Sequence, residues 1–272
     1  MRINFVNLRY LIVAALFFSG CKTAVKQQED KIYSRHLQRH VELTIINTPM
    51  PDEKSNMNLL LFNDGNDLQN TGAKEIIDSL YGINLLQPLV LVGIHSNEKD
   101  ELGLSEITYA GNTGSKAAKY NRFVINELYP FIKKKTGVRK FRSVVICGYS
   151  LGGISAFDIA WENADKIDKA GIFSVNLDYA RQNPAGIADS VNIVLQKIKS
   201  SKKRPKLQYW FYAGEDGDSS IFKNSQALIG IIGQKNTGTA ADIKFLPVKG
   251  GSNNMSAWRQ HFAAFLLWAF GN

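Results

Sequence analysis

Ser143-Val-Val-Ile-Cys-Gly-Tyr-Ser-Leu-Gly-Gly-Ile154 is the stretch whose reading decides the fold. Val144 to Cys147 form an apolar run that reads as a strand, and Cys147 is expected to be buried and inert in it. The run passes directly into Gly148-Tyr149-Ser150-Leu151-Gly152, and a helix-compatible segment follows to about Asn163. A G-x-S-x-G pentapeptide between a strand and a helix has the form of a nucleophile elbow. Such a turn holds its serine in a strained backbone conformation, and side chains two residues to either side would collide across it. The glycines at 148 and 152 answer that need. Ser150 Oγ then stands above the sheet edge, with a helix N-terminus behind it that favours developing negative charge.

Working outward, the same alternation recurs. Before the elbow, Val41–Ile46, Asn58–Phe62 and Pro88–Ile94 read as strands, and 72–81 reads as a helix with Ile76, Ile77 and Leu80 on one face. The continuous apolar run of Pro88–Ile94 marks a strand covered on both faces. Residues 116–135 carry Tyr120, Phe123, Val124, Leu128, Phe131 and Ile132 at helical spacing, with Pro130 expected to kink the helix or start its last segment. After the elbow, strands are expected over 170–175, 207–213 and 243–248, and helices over 189–200, 221–233 and 255–270. Strand–helix alternation without repeats or low-complexity linkers predicts an α/β fold, a doubly wound, mostly parallel sheet with helices on both faces. Functional residues then belong in the loops at the carboxyl ends of the strands.

The N-terminus has a different composition. Arg2 and Arg9 precede Tyr10-Leu-Ile-Val-Ala-Ala-Leu-Phe-Phe18, then Ser19-Gly20-Cys21. A basic start, a short apolar core and small residues read as a secretory signal over 1–20. The apolar run is too short to span a bilayer comfortably. Cys21 after Ser19-Gly20 resembles a bacterial lipobox, which implies lipidation of Cys21. The expected layout is a signal peptide over 1–20, a polar tether over 21–34 and one domain over 35–272. That makes the protein an exported, membrane-anchored lipoprotein, in the periplasm or at the outer membrane or cell surface, with the bacterial membrane as a partner through its lipid. Removing 1–20 takes away two arginines and no acid, so the net charge of +9 becomes +7. This weakly favours anionic surfaces or ligands. Lys133-Lys134-Lys135 and Lys202-Lys203-Arg204 fall near element ends without interleaved aromatics, which reads as solvated lysines and excludes a nucleic-acid site. With Cys21 lipidated, only Cys147 remains as a free thiol, so no intrachain disulfide is expected.

The alternation and the elbow together resemble an α/β-hydrolase. More narrowly, residues 58–270 resemble the esterase D / enterochelin-esterase-like family, which includes feruloyl, acetyl-xylan and siderophore esterases. The matching pieces are Leu59-Leu-Leu-Phe-Asn-Asp-Gly65, Tyr120 with Phe123 and Asn126-Glu-Leu-Tyr-Pro130, the Gly148–Gly153 elbow, Ala213-Gly214 and Trp258-Arg259. The resemblance implies that Ser150 attacks an ester carbonyl, a histidine takes its proton and a carboxylate orients that histidine. It also implies an oxyanion hole from the Leu151 amide and an amide of the Gly65-Asn66 loop. The acid falls in Glu215-Asp-Gly-Asp218. Spacing from Gly214 is off by one from the family pattern, so Asp216 and Asp218 are both candidates, with Asp216 preferred over a plain turn role.

The family's histidine lies five residues before its tryptophan. Here that position is Asn253, in Gly250-Gly-Ser-Asn-Asn-Met255, a loop with no histidine. Asparagine can hydrogen-bond Ser150 but offers no titratable base. His36 and His40 lie at the N-terminal edge, and His261 falls within the closing helix. His95 ends a strand at the active end of the sheet, where it is a candidate for pocket lining or a relocated base. Tyr109, Tyr149, Tyr179 and Trp161 are candidates for pocket aromatics, with core packing as the alternative. No metal site or cofactor is expected, since the aspartates lack ligand spacing and histidine partners and no phosphate-cradling glycine loop is present. The expected function is an exported esterase-like serine hydrolase, impaired by Asn253, acting on a small-molecule or glycan-linked ester. Two alternatives stand beside it. One is a catalytically degenerate binder of glycan or siderophore esters, and the other is a structural or interaction lipoprotein.

Overall fold

The computed structural model describes residues 25–105, 113–175, 177, 190–215, 219–235 and 242–272. Its centre is a sheet of eight strands in the order β1-β2-β4-β3-β5-β6-β7-β8. The strands are β1 Lys26–Ser34, β2 Arg39–Asn47, β3 Asn58–Phe62, β4 Leu89–Ile94, β5 Val144–Tyr149, β6 Lys169–Phe173, β7 Gln208–Gly214 and β8 Ile243–Val248. β3 to β8 are mutually parallel, while β2 runs antiparallel to both β1 and β4. This is the doubly wound, mostly parallel sheet that the alternation predicts.

Successive side chains of a strand point to opposite faces, and here each face has its own core. Leu59, Leu61, Val144, Ile146, Tyr209 and Phe211 face one layer. That layer is covered by α3 (Ala117–Phe123), α4 (Tyr129–Thr136), α5 (Leu151–Glu162), α6 (Ser190–Ser200) and α7 (Ser219–Lys235). Leu60, Phe62, Val145, Cys147, Trp210 and Tyr212 face the other layer, covered by α1 (Ala73–Gly82) and α8 (Met255–Phe270). A one-residue slip of any central strand would exchange these two sets. The short α2 (Glu98–Glu101) follows β4.

Two local departures have clear causes. The tether expected over 21–34 is too long, because residues 26–34 are β1, an edge strand paired along its length with β2. Its outer positions are mostly exposed and polar, so backbone hydrogen bonding carries it and no apolar alternation announces it. The 116–135 helix changes pitch: Val124–Leu128 form a π-turn between α3 and α4, with Tyr129 N–H donating to Val124 O. Pro130 follows at once and has no N–H to give, so the ladder widens just before it.

Candidate active site

β5 ends at Tyr149 and α5 begins at Leu151, so Ser150 alone turns the chain. Its φ of 50° and ψ of −119° place a non-glycine residue in strained backbone. Ser150 N–H donates to Phe173 O at 2.9 Å, which pins the turn to the neighbouring β6. The turn is also held from beneath by β3. Asp64 is 3 % exposed and its carboxylate accepts the Tyr149 N–H at 2.9 Å. Asn63 Nδ2 donates to Gly152 O at 2.9 Å, and Tyr120 Oη donates to Asn63 Oδ1 at 3.1 Å. A β-carbon on Gly148 or Gly152 would overlap the Asp64 carboxylate, which is why both positions are glycine. The buried charge of Asp64 adds to the effect of burial in pushing the Tyr120 phenol and the Cys147 thiol upward, burial being the larger cause for each. Cys147 is a fully buried free thiol held neutral.

Leu151 occupies the first helical position, where an N–H has no intrahelical acceptor. Gly65 opens a 3-10 turn (Gly65–Thr71) packed so closely on the end of β4 that a β-carbon would meet the Gly93–Ile94 backbone. Asn66 is exposed and its side chain reaches Ser96 O at 3.3 Å. The Leu151 amide and the Gly65-Asn66 loop thus belong to the same end of the sheet, on β5 and β3 respectively. A cleft of about 230 Å³ opens at Ser150, lined by Asp64, Asp67, Leu102, Tyr149, Leu151, Gly152, Met255 and Trp258. Tyr149 and Trp258 stack with ring centroids 3.4 Å apart, and Tyr149 Oη contacts Met255 Sδ at 3.0 Å.

Asn253 makes side-chain hydrogen bonds to the ends of β7 and β6. Its Oδ1 accepts from Gly214 N at 2.9 Å and its Nδ2 donates to Gly214 O at 3.0 Å, a two-bond clasp on the end of β7. The same Oδ1 accepts from Ser174 Oγ at 2.8 Å, and Ser174 Oγ accepts from Trp258 Nε1 at 2.9 Å. Ser174 is 2 % exposed and, like Ser150, has a φ of 50°. Asp216 and Asp218, the two candidate acids, lie outside the described residues, as do Cys21, Tyr109 and Tyr179.

None of the four histidines lines the cleft. His95 is turned toward the antiparallel edge: its Nε2 lies 2.9 Å from Thr44 Oγ1, which in turn donates to Glu29. The pocket role considered for His95 is therefore not what its contacts support. His261 stacks on Tyr212 at 5.0 Å, and burial lowers its pKa. Trp161 is 1 % exposed in the core at the far end of α5, so it is a packing residue. Among the described residues no group of three or more His, Cys, Asp or Glu is arranged to hold a metal.

Sequence reading missed Asp64 and Ser174. Asp64 left a trace, as the acid of Asn63-Asp-Gly65 after a buried strand, yet nothing local shows that its carboxylate reaches the elbow. Ser174 left none, since it reads as one more residue of a strand.

A family model described as "Putative esterase" matches residues 34–269. Solved structures with the same fold include enterobactin esterase FES from Shigella flexneri in the presence of enterobactin, with a TM-score of 0.71 and 20 % identity, covering 90 % of this chain and 58 % of that one. A ferulic acid esterase gives a TM-score of 0.66 at 15 % identity, covering 90 % and 98 %. An IroE-like serine hydrolase from Shewanella oneidensis gives 0.63 at 16 % identity, covering 89 % and 78 %. The chain thus spans well under two thirds of the length of the enterobactin esterase. A sequence search of curated proteins finds no match.

Proposed function

The chain belongs to the esterase family whose model spans residues 34–269, and from that premise we propose that it binds a carboxylic ester at Ser150 and turns it over slowly. One observation carries the reading. Ser150 is strained and opens on the cleft, while Asn253, at the position the family gives to its base, is bonded to Gly214 and Ser174 instead. Ser150 Oγ would attack the carbonyl, and the Leu151 amide with one from the Gly65-Asn66 loop would stabilise the oxyanion. With no imidazole to take the hydroxyl proton, the step is slowed by roughly four orders of magnitude relative to a complete triad.

The cleft wall of Tyr149 and Trp258 supports a small aromatic acyl group as the substrate class. The similar structures include an enterobactin esterase in the presence of enterobactin and a ferulic acid esterase. Asn253 also favours a second reading, in which the ester is bound and released unchanged. As a setting for either reading, we take residues 1–20 as an export signal and Cys21 as the lipidated N-terminus.

Hydrolysis of p-nitrophenyl acetate by the protein and by its Ser150→Ala variant separates the two. Slow turnover that falls at least about ten-fold in Ser150→Ala supports the hydrolase. A rate indifferent to Ser150→Ala removes catalysis from this cleft and leaves the binding reading.

A further inference from the structure

The parallel strands begin at the pole opposite the cleft, and two of the loops that enter them, 137–143 and 201–207, are strongly basic. Beyond the end of α4, Arg139, Lys140 and Arg142 are exposed, next to exposed Lys134 in the helix's last turn. Beyond the end of α6, Lys202, Arg204 and Lys206 are exposed, next to Lys199. α4, α5 and α6 cover the same face of the sheet, so their carboxyl ends lie at one pole. Contacts tie the pieces together. Lys203 pairs with Glu162 at the end of α5, and Lys235 at the end of α7 donates to Ser201 O.

Acids on this pole are few and mostly engaged. Asp165 pairs with Lys166, the Asp168 carboxylate accepts the Val144 N–H, and Glu53 accepts from Ser55. At the cleft pole the charges are mixed: Asp64, Asp67, Asp100, Glu101 and Glu215 lie among Arg39, Lys116, Lys119, Lys223 and Lys249, and Arg39 and Lys116 pair with Glu101 and Asp100. Lysines in a last helical turn complement the helix dipole and need no partner. That account does not extend to Arg139, Lys140 and Arg142, which follow the left-handed cap Gly137, nor to Lys202, Arg204 and Lys206 past α6.

We propose that this basic pole docks on a surface of anionic phospholipid headgroups, with the Ser150 cleft facing away from the membrane. The course of the chain argues for this occupant over a soluble polyanion. Lys26, at the start of β1, pairs with Asn47, and Asn47 pairs with Val90 at the start of β4. The segment upstream of Val25 therefore joins the domain at the basic pole. This clause rests on the reading of Cys21 as a lipid anchor. Because β1 takes up residues 26–34, only four steps of chain separate Cys21 from Val25, at most about 14 Å fully extended. A lipid on Cys21 would hold the basic pole within range of the headgroup charges, where each lysine or arginine adds attraction.

The test is a lysine footprint of the full chain on vesicles. Acetylation rates of single lysines, read by mass spectrometry, are compared on phosphatidylglycerol–phosphatidylcholine vesicles and on phosphatidylcholine alone. Lys140, Lys202 and Lys206 are expected to label about five-fold more slowly on the anionic vesicles, and about 0.5 M salt restores the rate by screening. Lys119, Lys223 and Lys249, exposed toward the cleft pole, should change less than about two-fold under the same oriented attraction. Equal rates on the two lipids at the pole lysines, or equal slowing of all six, overturns the proposal. Protection by heparin in solution with none on anionic vesicles also overturns it, in favour of a soluble polyanion. The mass of the N-terminal peptide reports lipidation separately. An unmodified Cys21 with the footprint intact removes the tether clause and supports the docking face on its own charge.

Discussion

Ser150 and Asn253 lie on loops at the same end of the sheet and differ in what holds them. The Ser150 turn is braced by residues from three other places in the sequence: Asn63-Asp64 below, Tyr120 behind and Phe173 beside. All of these are buried, and the turn they hold carries Ser150, in strained backbone, at the cleft. Asn253 reverses this. Its backbone is part of an exposed to half-buried loop, and its side chain is engaged by Gly214 and Ser174. The elbow's bracing is also the fold's packing, joining β3, β5, α3 and α5. In the proposed reading the base position rests on one side chain of the loop between β8 and α8, so a fold of this kind can lose its base without losing its elbow.

Restoring a base is the change with the largest expected effect. In Asn253→His, an imidazole Nδ1–H can take over the bond to Gly214 O and leave Nε2 free to turn toward Ser150. A positioned general base contributes about 10²- to 10⁴-fold, so p-nitrophenyl acetate hydrolysis should rise by at least about 10². The gain should disappear when Ser150→Ala is added. A folded Asn253→His protein with no gain would mean that the loop has moved, and that the difference between the two regions is more than one side chain.

Asp64→Ala tests the other side. It leaves the Tyr149 N–H without its acceptor and opens a hole beneath Gly148 and Gly152. An unsatisfied buried donor costs about 1–3 kcal/mol. For a domain of this size each kcal/mol lowers Tm by roughly 2–4 °C. A drop of about 5 °C or more in a thermal melt is expected. An unchanged Tm would show that the elbow does not depend on its support from β3.

The order of strands and helices was legible because each central strand is an unbroken apolar run and each helix has an apolar face. The elbow was legible because strand, turn and helix are contiguous. β1 was not, since an exposed edge strand is held by main-chain bonds to β2 and its Lys26–Lys31 side chains are polar. Asn253 could be placed by its distance from Trp258, but not its bonding, which needs Gly214 and Ser174, 39 and 79 residues away, brought to the same strand ends. The basic pole was hidden for the same reason: Arg139–Arg142 and Lys202–Lys206 are separate in sequence and share a pole only because α4 and α6 end on the same side.

The smallest predicted effect is the most direct measure of what the elbow keeps for function. A φ of 50° with ψ of −119° costs a residue with a β-carbon about 1–3 kcal/mol, and glycine escapes that cost. Ser150→Ala keeps the strain and should melt near the parent. Ser150→Gly removes it, and after glycine's larger unfolded-state entropy about 1 kcal/mol should remain. The expected result is therefore a Ser150→Gly protein that melts roughly 2–4 °C above Ser150→Ala. Neither variant can hydrolyse an ester through a hydroxyl at 150, so activity does not enter the comparison. Equal melting temperatures would mean that the turn adapts to its residue and stores no strain. The persistence of serine in it would then say nothing about selection for a nucleophile. A Ser150→Gly gain means that the parent bears a standing cost at one residue, which packing alone does not require and which a hydroxyl lining the cleft does.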